Sequence, residues 1–267
     1  MFKLIKPNRI QHNVYRISIA NYSDKKKNKV NISQMPLSYI GVMSDLYVPP
    51  SWSRVPILYW PKVLIKRISL FALNTYMIVK FKQEIGVPLN FNKWKDESIE
   101  KFININKTFT KSCNNHSSKI IDQLNNHAGK YLIDMLKIRS NSFPKSSSSI
   151  SWEIKSIDKN PKIVLFNVIP DQNGLGLFVQ YIMQLKTTQE IQVDGKKHVV
   201  ENNDYLVYSM NPITEELLLV GKLFECDYKR GLKGELDMFD QKTMQKFLLL
   251  AADIYREDPK TSKQKLE

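Results

Sequence analysis

The apolar pattern of this chain changes period once, near Ile150, and that switch limits the possible folds more than any other feature. Upstream, apolar residues recur at helical spacing. Downstream they alternate or run together as strands do. Ser151 to Ile157 and Leu177 to Lys186 alternate, and Lys162 to Ile169 is a buried-type run. Tyr205 to Met210 and Glu216 to Glu225 follow, with Asn211–Pro212 turning between them. Asp194–Gly195 is a hairpin signal. Strands that succeed one another without intervening helices make an antiparallel sheet. Helices first and four or five strands afterwards predict an α+β fold. A last helix is expected from Asp240 to Tyr255.

Three helices are expected before the switch. The first covers Pro61 to Phe81, and the chain stops it at Gly86 and Pro88. The second runs from Phe91 to Phe109 with Asn90 as N-cap. Its seam holds Phe91, Trp94, Phe102, Ile105 and Phe109, with Ser98 as a gap. The third runs from Ser117 to Ile138, and Asn141 to Ser149 forms a turn-rich break.

The first helix is apolar nearly all round, which predicts burial. Its uninterrupted run, Ile68 to Val79, is short of the roughly 20 residues a membrane span needs. Lys66, Arg67 and Lys80 close that run. It is therefore read as a core helix lying across the concave face of a curved sheet. Lys62, Lys66, Ser69 and Lys80 fall within roughly 60° of one another at helical spacing, so one narrow basic stripe is expected to stay exposed. Before it, residues 39–60 are rich in proline and aromatics and read as an extended arm. Trp52, Tyr59 and Trp60 are expected to anchor that arm to the core, a lipid interface being the alternative.

Charge is distributed unevenly. The net charge is +14, and residues 1–39 carry eight Lys or Arg against one acid. Residues 40–145 carry sixteen against seven, whereas residues 146–267 carry sixteen against eighteen. A basic N-terminal half suggests a polyanionic partner, nucleic acid or anionic lipid. Lys outnumbers Arg 33 to 7, and much of that lysine reads as solvated surface. The first residues, with Lys3, Lys6, Arg9 and Arg16 and no acid before Asp24, resemble a mitochondrial presequence. Pro7 interrupts the helix such a peptide would form, and a basic arm is the alternative. The expected organisation is a presequence and basic linker at 1–38, one α+β domain at 39–256 and a polar tail at 257–267.

No enzymatic constellation is visible. His12, His116, His127 and His198 are not paired with acids at a spacing that builds a dyad. Asn173 to Gly176 precedes a strand, so its glycines do not make a phosphate loop. Cys113 and Cys226 stand far apart with no metal-ligand spacing, and no metal or cofactor is implied.

The order of several short segments resembles a known family. They are Gly41–Val42, Leu46 to Pro49, Val55–Pro56, Arg67, Phe71 to Asn74, Gly86, Trp94–Lys95, Ile99 to Asn106 and Phe109. Farther on come Trp152, Pro161–Lys162, Gly221 to Glu225 and Asp253 to Arg256. Together they resemble the Mba-type ribosome receptor of fungal mitochondria, over about Tyr39 to Arg256. The resemblance implies a cone-shaped, cystatin-like α+β domain, shared with the presequence-translocase motor anchor and a mitoribosomal large-subunit protein. It implies a non-catalytic, peripheral protein on the matrix face of the inner membrane. Its implied partners are the large mitoribosomal subunit with its rRNA, anionic inner-membrane lipid and the Oxa-type insertase, in cotranslational membrane insertion. The candidate contacts to rRNA or lipid are Lys62, Lys66, Arg67, Lys80, Lys82, Lys93 and Lys95. The alternatives are a constitutive subunit of the large mitoribosomal subunit and an import-motor component.

Overall fold

A computed structural model describes residues 35–86, 89–144, 149–170, 176–236 and 240–259. The expected presequence, the linker from Asp24 to Lys29, most of the Asn173 to Gly176 loop and the end of the tail lie outside the described residues. An extended arm with short 3₁₀ turns leads into α1 (Trp60–Ile85), followed by α2 (Phe91–Asn114), a 3₁₀ segment (Ser118–Asn126) and α3 (Lys130–Asn141). Four strands follow, β1 (Ile150–Pro170), β2 (Gly176–Val193), β3 (Lys196–Asn211) and β4 (Glu216–Leu223), and α4 (Gln241–Ala252) comes last. The strands form one antiparallel meander in the order β1-β2-β3-β4. The α+β expectation holds.

The two runs expected as separate strands, Ser151–Ile157 and Lys162–Ile169, are one long strand, β1, with register shifts on both sides of Pro161. A proline is tolerated there because β1 is an edge strand and bulged. Asp194 and Gly195 both have positive φ, 50° and 81°, as the tight turn between β2 and β3 requires. The expected third helix is divided. Residues 118–126 are 3₁₀, and the α-helix begins only at Lys130. Between them the backbone pairs with β4, Gly129 N–H donating to Leu219 O and Leu219 N–H to His127 O. A continuous helix could not present those groups.

The sheet has a core on each face. On one face α2, the 3₁₀ segment and α3 cover Trp152, Phe166, Tyr181, Leu206, Tyr208 and Leu219. The seam of α2 is Trp94, Ser98, Phe102, Ile105, Phe109 and Cys113, all buried. Ser98 is small so that two tyrosines can reach the helix. Its Oγ lies 2.7 Å from the Tyr181 hydroxyl, and Tyr208 donates to its carbonyl at 2.8 Å. Trp94, Tyr181 and Tyr208 stack in succession beside it. Asn90 caps α2 as expected, accepting from Lys93 N–H at 3.1 Å. On the other face lie the arm residues Leu37, Ile40, Val42, Tyr47 and Val48, with Leu70 of α1 and Ala251 of α4. Gly221 lets α4 close down there, because a Cβ at that position would collide with the Ala251 carbonyl.

The first helix does not lie across the sheet. It runs along the β1 edge, and Asn74 fixes it there. The Asn74 side chain donates to Val164 O at 2.9 Å and accepts from Phe166 N–H at 3.2 Å. One amide thus satisfies both kinds of backbone group on an otherwise open edge. The helix that lies on the sheet is α2.

Candidate functional site

Only a narrow stripe of α1 turns inward: Val63, Lys66, Leu70 and Phe81 are buried, and Asn74, Met77 and Ile78 are half-buried. The spacing of three and four residues is that of a single helical face. Arg67 and Ile85 are also half-buried, and the rest of the helix is outside. Leu64, Ile65, Ile68, Phe71, Leu73, Tyr76 and Val79 are all exposed, with Phe71 at 73%. This reverses the expectation of a buried helix with one wet basic stripe. Burial follows the position of the domain relative to the helix, and here the domain touches one side only.

Lys66, the middle of the expected stripe, is buried. Its ammonium donates to Tyr228 O at 2.8 Å and Arg230 O at 2.6 Å. Burial and the neighbouring Lys62 hold its pKa below the ordinary lysine value. Arg67 is also committed internally. It donates to Pro50 O at 2.6 Å and stacks over the Trp52 ring at 4.7 Å. These two cations tie α1 to the arm and to the loop after β4. Lys80 pairs with Glu84 at 3.6 Å, and Lys93 pairs with Glu215 at 2.7 Å. Lys62, Lys82 and Lys95 make no ion pair among the described residues, and Lys62 and Lys82 are exposed. The seven cations therefore do not converge on one surface.

Sequence reading missed two features. The first is the outward apolar surface of α1 and the turns before it, where Trp52, Ile57, Leu58 and Trp60 are also exposed. Those aromatics anchor the arm only in part. Trp60 donates to Val55 O at 3.0 Å and meets Trp52 edge-on, yet 44% of it faces outward. The second is a basic pair on the sheet, where Lys159 of β1 stands directly opposite Lys186 of β2. Like charges in that register are unfavourable without an anion between them. Strand register, which a single sequence does not disclose, was the missing signal.

The polar clusters elsewhere are largely paired among themselves, although the Arg230 and Arg256 Nε atoms and the Tyr47 hydroxyl are buried without a hydrogen-bond partner among the described residues. A cleft of about 520 Å³ is lined by Asp45, Glu225, Cys226, Arg230 and Arg256 among others. Arg230 binds Asp45 and lies 3.0 Å from the Cys226 sulfur. Glu225 accepts from Ser51 and Tyr205. Arg139 and Asp253 form a two-bond pair, each at 2.6 Å. Arg256 stacks on Phe224, and its burial lowers its pKa to about 10. His127 Nδ1 and His198 Nε2 are buried without a hydrogen-bond partner. Burial, with Lys101 nearby, pushes the His127 pKa down. Neither histidine bonds to a carboxylate among the described residues. No helix among them is long and apolar enough to cross a membrane.

The model of a family described as MBA1-like protein matches residues 26–260. A relative from Saccharomyces cerevisiae, named inner membrane mitoribosome receptor MBA1, mitochondrial, is 24% identical over 249 residues. That alignment spans 88% of this chain and 85% of the relative. The segments that carry the resemblance are mostly framework: Asn74 on the β1 edge, Arg67 on the arm, Gly221 under α4, and Tyr255, whose hydroxyl meets Asn106 at 2.7 Å.

Proposed function

Because the chain belongs to the MBA1-like protein family, we propose that it is a non-catalytic receptor that docks the mitochondrial ribosome at the matrix face of the inner membrane. The observation that carries this reading is the match itself. It runs through the arm, the helices, the whole sheet and α4, so the entire described domain takes part. The relative's name supplies the ribosome and the membrane. Attachment is peripheral. The docked ribosome delivers its nascent chains for cotranslational insertion beside the Oxa-type insertase.

The contact to the ribosome is phosphate-dominated and therefore salt-sensitive. Of the seven candidate cations, Lys62, Lys82 and Lys95 have neither an acidic partner nor the internal carbonyl contacts that hold Lys66 and Arg67, among the described residues. Lys159 and Lys186 join them as a pair whose mutual repulsion an rRNA phosphate would relieve.

Sedimentation of mitochondrial membranes with and without ribosomes, across a salt series, tests the assignment. A receptor stays on ribosome-free membranes and loses ribosomes as salt rises. A protein that follows the large subunit through high salt and leaves ribosome-free membranes is a constitutive subunit. A protein that instead co-purifies with the import motor belongs to that machine.

A further inference from the structure

We propose that the outward face of α1, with the turns that precede it, lies in the headgroup region of an anionic bilayer and is the membrane anchor of this domain. The inference rests on the reading above for which membrane is met, and deepens it by naming the surface and its mode of attachment. Residues Trp52 to Val79 contain eleven of the eighteen exposed large hydrophobics among the described residues. They are Trp52, Ile57, Leu58, Trp60, Leu64, Ile65, Ile68, Phe71, Leu73, Tyr76 and Val79. A contiguous apolar surface of this kind marks an interaction site.

The charge on this segment selects the occupant. No Asp or Glu occurs between Asp45 and Glu84, while Arg54, Lys62, Lys66, Arg67, Lys80 and Lys82 do. Two of these cations face inward, and Lys62, Lys80 and Lys82 remain exposed beside the apolar surface. An apolar face edged with lysine is what an in-plane interfacial helix presents to acyl chains and anionic headgroups. Trp52 and Trp60 sit at the start of that surface, where amphipathic rings favour the headgroup level. A second copy of the chain fits poorly. It would set Lys62, Lys80 and Lys82 against their own counterparts. The surface is also the convex side of one helix rather than a groove that would seat a partner's helix. Insertion as a span is prevented by Lys66 and Asn74, which hold α1 lengthwise against the domain.

The test uses the full chain and floating vesicles of phosphatidylcholine, with and without cardiolipin. Wild-type protein is expected to float with cardiolipin vesicles and to stay bound in part at high salt, since apolar insertion is not screened. The double substitution Ile65→Glu/Ile68→Glu should lower vesicle binding by about tenfold or more, with an unchanged circular dichroism spectrum and melting temperature. Lys62→Glu/Lys80→Glu should weaken binding mainly at low salt. A second measurement does not depend on the glutamate variant. Brominated phospholipid should quench part of the tryptophan emission of wild-type protein, and Trp52→Phe/Trp60→Phe should abolish that quenching, because Trp94 and Trp152 are buried.

Unchanged flotation of Ile65→Glu/Ile68→Glu, or no quenching from Trp52 and Trp60, overturns the proposal. So does a wild-type dimer in sedimentation that the double variant dissociates while neither form binds vesicles. Ribosome binding without vesicles is scored separately. If the double variant loses vesicles and keeps ribosomes, both readings stand. If wild-type protein binds vesicles but never ribosomes, the receptor function fails and the anchor remains.

Discussion

Helices α1 and α2 are neighbours in the chain and nearly equal in length, 26 and 24 residues, yet they relate to the domain in opposite ways. The first is the more apolar and is largely outside. The second carries Lys93, Lys95, Asp96, Glu97, Glu100 and Lys101 near its start and supplies the central seam of the core. The seam of α2 repeats at four, four, three, four and four residues, and every member is buried. Total hydrophobicity therefore says that a helix avoids water, whereas periodicity says which side meets the protein. In α1 these two answers differ, and the difference is its outward apolar face.

The contrast breaks first at Phe102. That ring is 4% exposed and meets Trp152 edge-on at 5.8 Å. Phe102→Ala removes both its burial and an aromatic contact, with a cavity left behind. It should destabilise the fold by about 3–5 kcal/mol, read from chemical denaturation. A cost near that of a surface substitution would mean that α2 is not the central packing element.

Asn74 gives the next largest effect, and it lies on α1. Asn74→Ala leaves the Val164 carbonyl and the Phe166 N–H without their partner. The expected loss is about 1–3 kcal/mol, with faster amide hydrogen exchange at Phe166 than elsewhere in β1. If exchange there is unchanged, the helix does not protect the edge, and α1 is held by its apolar stripe alone.

The same two helices show how much was legible in the sequence. The seam of α2, the cap at Asn90, the Asp194–Gly195 turn and the switch to strands are local signals, and each was readable. Ser98 looked like a defect because its partners, Tyr181 and Tyr208, are more than eighty residues away. The break at His127 to Gly129 was invisible for the same reason, since β4 imposes it. Of the lysine stripe of α1, Lys62 and Lys80 are exposed as expected, and Lys66 is the member that turns inward. Helical geometry groups Lys62, Lys66 and Lys80 correctly, but the side that touches the domain depends on where β1 and the loop after β4 lie. Of the candidate contacts, Lys66 and Arg67 serve the fold, and the apolar face opposite them carried no charge to attract notice.

Lys66 supplies a smaller effect that depends on pH. Its pKa in the folded protein is lowered, chiefly by burial, while the unfolded chain keeps the ordinary value of 10.5. Between those values the unfolded state binds more protons, so this group adds stability as pH rises toward 10.5. Below both values the two states are equally protonated and the slope vanishes. Lys66→Met should therefore remove this upward contribution, so that stability falls more steeply with pH on the alkaline side than in wild type. An identical limb in the two proteins would place Lys66 in water and return the basic stripe to the surface.

The smallest expected effect bears most directly on the comparison. Ile68 looks like a core residue in the sequence and is 59% exposed in the structure. Ile68→Ala gives up little buried area. It also replaces a β-branched residue with the best helix former, a gain of a few tenths of a kcal/mol. The two contributions nearly cancel, so stability should change by no more than about 0.5 kcal/mol in either direction. A loss of about 2–5 kcal/mol, the range for a buried isoleucine, would show that something within the chain covers α1 and that its outer face is not free to meet a membrane. Near-neutrality in the isolated protein, combined with weaker binding to cardiolipin vesicles, is the pair of results that separates a residue kept for an external apolar phase from one kept for the fold.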